Sequence, residues 1–330
     1  MEWLNQVFKK RDKRPGGRPE VGRKAGGWFL LGVVAFILLA VVFIMIANYR
    51  FPTFFGSTPA DQDKPGLLFT RTLITIAEEM SGRWLPNDKF YPTIFLDNPQ
   101  NFQLGQLEAV RYTARVLRDK VSRLRTTDKI DPDVEESFVL FSNDPKKWIL
   151  PSAESKFRGG VEALRKYERR LQAGEADFYP RADNLNELLD QYVSLLGGVN
   201  TRLSNAPRRK QKVMSEETAG DQYTRGEKYV EVQIPWTQID DNFYYAQGVA
   251  YGLRQMMLAV QFDFRNIIEV KKAEELVDRI IAVLDQSQFE PLLVLNGDHG
   301  SLFANHSLQL QSLLEDSRQK MRSLQDMIRD

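Results

Sequence analysis

Cysteine is absent from all 330 residues, and histidine occurs only twice. The first absence removes disulfides, thiolate zinc sites, iron–sulfur clusters and cysteine nucleophiles. The second restricts any imidazole chemistry to His299 and His306. Net charge is nearly absent as well, since 45 basic residues meet 44 acidic ones. Nucleic-acid binding needs a concentrated basic field, which the bulk of the chain lacks, so no nucleic-acid partner is expected. Dinucleotide loops, EF-hand loops and the Gly-x-Ser-x-Gly elbow are also missing, and no cofactor is expected. The stretch from Gly17 to Lys24 has glycines and basic residues but lacks the Lys-Ser/Thr ending of a phosphate loop.

Long apolar runs are missing too, with one exception. Trp28 to Ala47 reads WFLLGVVAFILLAVVFIMIA, without a charge. About twenty helical residues span a hydrocarbon core of roughly 30 Å, and a helix satisfies its own backbone there. Eight basic residues, Lys9 through Lys24, precede this run, against Glu2, Asp12 and Glu20. Beyond it, Arg50 is the only basic residue before Lys64. The positive-inside rule then places the N-terminus in the cytoplasm and the chain after about residue 50 outside. The run exceeds a signal-peptide core, and Met45-Ile46-Ala47 is a poor cleavage site, so an uncleaved anchor is expected. Trp28 and Tyr49 mark its two interfaces. No small residue lies four positions from Gly32, and no ionisable group lies in the span, so pairing and transport roles are disfavoured. An exported module this large without cysteine fits a bacterial periplasm better than a eukaryotic lumen.

The expected organisation is a basic tail at 1–27, a transmembrane anchor at 28–48 and a linker at 49–65. A first helical half at 66–206 follows, then a polar loop at 207–228 and a second helical half at 229–330. The fold class is mainly α, a helical bundle with at most a minor β element. Leu104, Leu107, Val110, Ala114, Leu117, Val121 and Leu124 form one apolar face, backed by Arg111, Arg115, Arg118 and Arg125. That basic stripe reads as a solvated face. Asp131-Pro132 and Ser152 are helix starts, and Gly174 is a helix stop. Gly159-Gly160 inside the next helix signals close packing. The widest stripe is Phe243, Ala246, Ala250, Leu253, Met257, Val260, Phe264 and Ile267, the expected centre of the bundle, with the two alanines permitting close approach. Helices are also expected over about 184–204, 272–287 and 306–329. The last carries Leu310, Leu314, Met321, Leu324 and Ile328 and packs on its own bundle or on another chain. One short strand is expected from Tyr229 to Ile234, with Leu292–Leu295 as its partner.

Two stretches, WLPNDKFYPTIFLDNP at 84–99 and FYPRADNL at 178–185, together with the short anchor, resemble a bacterial membrane-anchored family catalogued as domain of unknown function 2333. The resemblance covers most of the chain. It implies a bacterial envelope setting and brings no activity or catalytic residue with it.

Candidate chemistry is sparse. Asn296, Gly297, Asp298, His299 and Gly300 form a loop ahead of His306. Asp298, His299 and His306 supply three potential zinc ligands, or a base and its orienter. The plainer reading is a turn with Asn305 or Ser307 capping the last helix. Glu78, Glu79, Asp240 and Asp241 are generic carboxylates for a glycan hydrolase, whose paired carboxyls face each other across a cleft. Trp84, Phe90, Tyr91, Phe95, Trp236, Tyr244 and Tyr245 cluster in two loop-to-helix regions, as a binding surface or as core plugs. The expected function is a non-enzymatic one, a membrane-anchored scaffold or adaptor for an envelope protein partner. An envelope hydrolase using the 296–306 loop is the alternative. A periplasmic ligand sensor comes third, since the short basic tail offers no output domain.

Overall fold

The computed structural model describes residues 20–55, 64–89, 91–125, 127–204, 211–214, 227–230, 239–291, 294–295 and 305–329. The chain falls into two units, Met1–Asn48 and Tyr49–Asp330. In the first, α1 runs Glu20–Asn48, and its stretch Trp28–Asn48 has a mean hydropathy of 3.3. It is long and apolar enough to cross a membrane.

The second unit is mainly α-helical. Its helices are α2 (Leu67–Gly82), α3 (Asp97–Val116), α4 (Pro132–Phe141), α5 (Ala153–Ala173), α6 (Ala182–Ser204), α7 (Ile239–Asp263), α8 (Arg265–Val270), α9 (Glu274–Gln286) and α10 (His306–Arg329). Local chemistry explains several ends. The Asp131 carboxylate accepts from the backbone N–H groups of Asp133 and Val134, with Pro132 at the first helical position of α4. Ser152 caps α5 by accepting from Ser155 N, and Gly174 closes it in the left-handed conformation. Gly160 and Gly159 lie against Phe141 and Leu140 of α4, the close packing their pairing implied.

Helix α7 is the centre. It packs against α2, α3, α6, α9 and α10, while the α4–α5 hairpin covers α2 and α3. Phe243, Ala246, Ala250, Leu253, Met257, Val260 and Phe264 of its stripe are all buried. The two helical stretches flanking 207–228 therefore share one core and do not separate into independent halves. Burying the apolar stripe of α7 requires neighbours from both sides of that loop. Helix α10 resolves the same way. Leu310, Leu314, Met321, Leu324 and Ile328 are buried against α6, α7 and α9, so the last helix belongs to its own bundle.

Four expectations need correction. The stripe through Ile267 is not one helix, because the chain breaks at Phe264 and resumes as α8. Asp263, the last residue of α7, turns its carboxylate to the start of α2, accepting from Gly66 N (2.9 Å) and Phe69 N (2.7 Å). The helix after residue 97 begins earlier than its apolar face, and its last turn, Leu117–Val121, widens to a π-helix, leaving Leu124 exposed. The strand Glu227–Val230 (β2) pairs antiparallel with Gln211–Met214 (β1), inside the supposed polar loop, while residues 231–234 and 292–293 of the expected pair lie outside the described residues. Finally, the arginine stripe is solvated only in part: Arg115 and Arg125 are exposed, and Arg111 and Arg118 pair with Glu108 and Asp119, but the latter two arginines also reach α4. Arg111 donates to the carbonyls of Phe141 and Asn143, and Arg118 lies 3.9 Å over the Phe138 ring, so that part of the face docks α4.

The segment after α1 is also ordered against the bundle. Phe51 stacks on Tyr244 (5.3 Å between centroids), and Phe54 stacks on Tyr251 (5.5 Å), with the Arg254 guanidinium 3.9 Å from the Phe54 ring centroid. Tyr251 Oη donates to Glu79 Oε2 (2.7 Å), and Gln255 Nε2 donates to the Phe55 carbonyl (3.3 Å). Residues 49–55 are thus a strap along α7 rather than a free linker.

Candidate functional site

The residues singled out from sequence part company in space. Asp298 and His299 lie outside the described residues, as do Phe90 and Trp236. His306 opens α10 and closes a loop: its N–H donates to the Leu295 carbonyl (2.9 Å), and its Nδ1 accepts from Leu295 N (3.0 Å). Asn305 Oδ1 accepts from Leu308 N (3.0 Å), which makes it the N-cap of that helix. The Nδ1 lone pair of His306 is committed to the backbone, so this ring serves the loop first.

Trp84 is core. It is buried edge-on against Phe157, and its Nε1 donates to the Pro145 carbonyl (2.9 Å). Tyr244 is also buried, between Phe51 and Phe243, and burial pushes its hydroxyl pKa up. These two cannot line an open groove. Tyr91 is exposed on a 3-10 turn, Pro92–Phe95, and Tyr245 borders a cleft. The generic carboxylates separate as well. Glu78 is held by Arg165, while Glu79 takes the Tyr251 hydroxyl and has its pKa raised by burial.

The cleft, about 230 Å³, is built from four segments. Asn101, Leu104 and Glu108 come from α3, and Asp241, Asn242 and Tyr245 from α7. Arg202 at the end of α6 and Lys146 from the α4–α5 loop complete the wall. The Arg202 guanidinium lies 4.3 Å over the Tyr245 ring, and burial raises that phenol to about 12. The floor is fixed by an unusually close helix pair. A Cβ on Gly248 would come 1.9 Å from the Phe102 carbonyl oxygen, and one on Gly252 would come 2.5 Å from Ala109 Cβ. Residue numbers rise together on the two helices, so α3 and α7 run parallel and bring their N-termini to the same end.

That arrangement explains a carboxylate cluster which sequence reading caught only in part. Asp97 sits in the first turn of α3, and Asp240 and Asp241 in the first turn of α7. First-turn acids are favoured by the positive end of a helix dipole, and here two such ends adjoin. Oxygens from all three carboxylates lie within 4.8 Å of one another. Burial, then the charges of Asp240 and Asp97, raise Asp241 to about 6, against the pull of Lys146 and of Asn101 Nδ2 (2.6 Å). Asp240 is raised for the same reasons, burial first and Asp97 second. Chemically, three such oxygens suit a hard divalent cation or a shared proton. Asp97 was missed because its partners lie more than 140 positions along the chain. The available signal was a first-turn acid on each of two apolar-striped helices.

Neither a curated protein nor a solved structure matches the chain. The sequence model of one family, described as an uncharacterized protein conserved in bacteria, matches residues 24–330. The chain therefore belongs to the bacterial family of domain of unknown function 2333.

Proposed function

We propose that this protein is an inner-membrane-anchored, periplasmic helical scaffold that binds an envelope protein partner through the cleft between α3, α6 and α7. The basic flank before the apolar run at Trp28 supports the orientation, with residues after about 50 outside the cytoplasm. The observation that carries the binding role is the exposed Arg202 stacked on Tyr245 at the cleft wall, among side chains of both signs. Arginine and tyrosine dominate binding energy at protein interfaces because each offers a large flat surface and a polar tip. Glu108 and Asp241, which share the cleft lining with Lys146 and Arg202, would orient a partner segment that carries both charges. The strap 49–55 supports a scaffold role, since it fixes the module to the chain leaving α1 through aromatic stacking rather than a free tether.

The test is co-purification of full-length protein from mildly solubilised membranes after brief in-cell crosslinking, comparing the natural chain with Arg202→Glu. A stoichiometric envelope protein should accompany the natural chain and fall by about tenfold or more with the reversed charge. Recovery of the same proteins in the same amounts with both chains would sink the reading. Deleting α10 is not a usable test, because its apolar face is core and the loss would unfold the bundle. The competing hydrolase reading gains no support from His306, whose Nδ1 is occupied by the backbone.

A further inference from the structure

Exposed apolar side chains form two tips on the module that begins at Tyr49. On the turn Pro92–Phe95 and its leading residue, Phe95 is 73% exposed and Tyr91 62%, with Ile94 exposed beside them. The turn is held firmly. Thr93 Oγ1 donates to Asp88, Gln100 Nε2 donates to the Thr93 carbonyl (2.9 Å), and Leu96 is buried behind it. Asn87, adjoining Asp88, donates to the Lys147 carbonyl (3.1 Å) and to Glu154 (2.9 Å). The same short segment thereby fixes a second apolar tip, Trp148, Ile149 and Leu150, the last 90% exposed. Rigidly presented apolar tips of this kind mark a surface that something covers.

The chain itself says what lies there. Asn98, three residues past Phe95, donates through Nδ2 to Tyr49 Oη (3.3 Å). Tyr49 directly follows Asn48, the last residue of α1. A bilayer around α1 therefore ends within a residue or two of a side chain that touches the base of this turn. We propose that the turn Tyr91–Phe95, with the tip Trp148–Leu150, inserts into the interfacial layer of the bilayer that α1 spans. Aromatic rings favour the headgroup level, and aliphatic tips reach the acyl boundary below it. Charges nearby are mixed, with Lys89, Lys146 and Lys147 exposed alongside Asp97 and Asp144, so the contact is apolar and needs no anionic lipid. Such contact adds a second grip on the membrane and fixes the orientation of the module above it. The inference rests on α1 being a membrane anchor, as in the function proposed above.

The chain has no cysteine, so single substitutions give clean labelling sites. Full-length protein carrying a nitroxide at Phe95→Cys, Leu150→Cys, Phe36→Cys or Val270→Cys would be placed in zwitterionic phosphatidylcholine nanodiscs. Accessibility to oxygen against a water-soluble nickel chelate then reports depth. Position 36, inside α1, and positions 95 and 150 should favour oxygen, while position 270, itself 78% exposed, should favour nickel. An aqueous position 36 would reject the anchor itself. A lipid-facing position 36 with position 95 as aqueous as position 270 would overturn this inference alone. Because a nitroxide is apolar, hydroxyl-radical footprinting of the unlabelled chain decides any conflict. With each rate normalised to the intrinsic reactivity of its side chain, Phe95 should be oxidised several-fold more slowly than Val270 in the discs, and equal normalised rates would overturn the inference.

Discussion

Gly105 on α3 and Gly248 on α7 meet backbone to backbone: a Cβ on Gly105 would stand 3.0 Å from Gly248 Cα and 2.1 Å from the Tyr245 carbonyl oxygen. No side chain can yield there, because the obstacles are main-chain atoms. Gly248→Ala should therefore cost about 3 kcal/mol or more, at the upper end of overpacking penalties. Gly198→Ala is the control. It lies on α6 with nothing within 4 Å of the added carbon, and should gain roughly 0.5–1 kcal/mol from helix propensity. Denaturant unfolding of the two variants in one detergent condition checks the contrast.

Asp263 ties the end of α7 to the start of α2. Burial raises its pKa to about 6, against the lowering effect of the Gly66 and Phe69 N–H groups and of Arg265. A carboxyl whose folded pKa exceeds its unfolded value adds stability below the unfolded pKa, and that stability is lost as pH rises through about 6. Asp263→Asn should flatten this slope between about pH 4 and 6. It should also cost on the order of 1–3 kcal/mol at low pH, since a single amide oxygen cannot serve both N–H groups as the carboxyl does. Equal pH slopes for the two chains would contradict the assignment.

Asp241 gives a contrasting case in the acid cluster. It is raised to about 6 chiefly by burial and then by Asp240 and Asp97. Above pH 6 its charge works against the fold. Asp241→Asn should raise the denaturation midpoint at pH 7.5, because the amide oxygen still accepts from Asn101 while the like-charge repulsion disappears. At pH 4 the variant and the natural chain should unfold together. A lower midpoint at pH 7.5 would show that the carboxylate is needed there, as a cation ligand would be.

These relationships also mark where sequence reading ended. The long apolar helix α1, the Asp131 and Ser152 caps, the Gly174 stop and the α7 stripe were legible because each is written within one element. Composition, a capping residue beside its own helix and a 3.6-residue period need no partner. Ala246 and Ala250 were expected to admit the neighbouring helix, whereas Gly248, Gly252 and Gly105 set the closest approach. Periodicity scores apolar faces and passes over glycine. Asp263 capping α2, and Asp97 meeting Asp240 and Asp241, join positions far apart along the chain, and only the packing of α3 on α7 and of α2 on α7 brings them together. The aromatic candidates divide between core and surface for a related reason. Trp84 and Tyr91 are seven residues apart, yet one is buried in the core and the other is exposed.

The strap offers its own test. Phe54 contacts both the Tyr251 ring and the Arg254 guanidinium. Phe54→Ala should remove both contacts and cost roughly 1–3 kcal/mol, since its ring is only partly buried. Amide exchange over residues 49–55 should speed up sharply while the α7 core stays protected. Unchanged exchange in that segment would mean that the stacking does not hold it.

If the cleft receives an envelope protein, that protein should be within reach of the cleft wall. A photo-reactive residue in place of Asn242, which lines the cleft, would be introduced into the full chain and irradiated in living cells, with the same residue at the exposed position 270 as reference. The account expects one distinct protein crosslinked from position 242 and not from position 270. No crosslink from 242, or the same set of products from both positions, would contradict it.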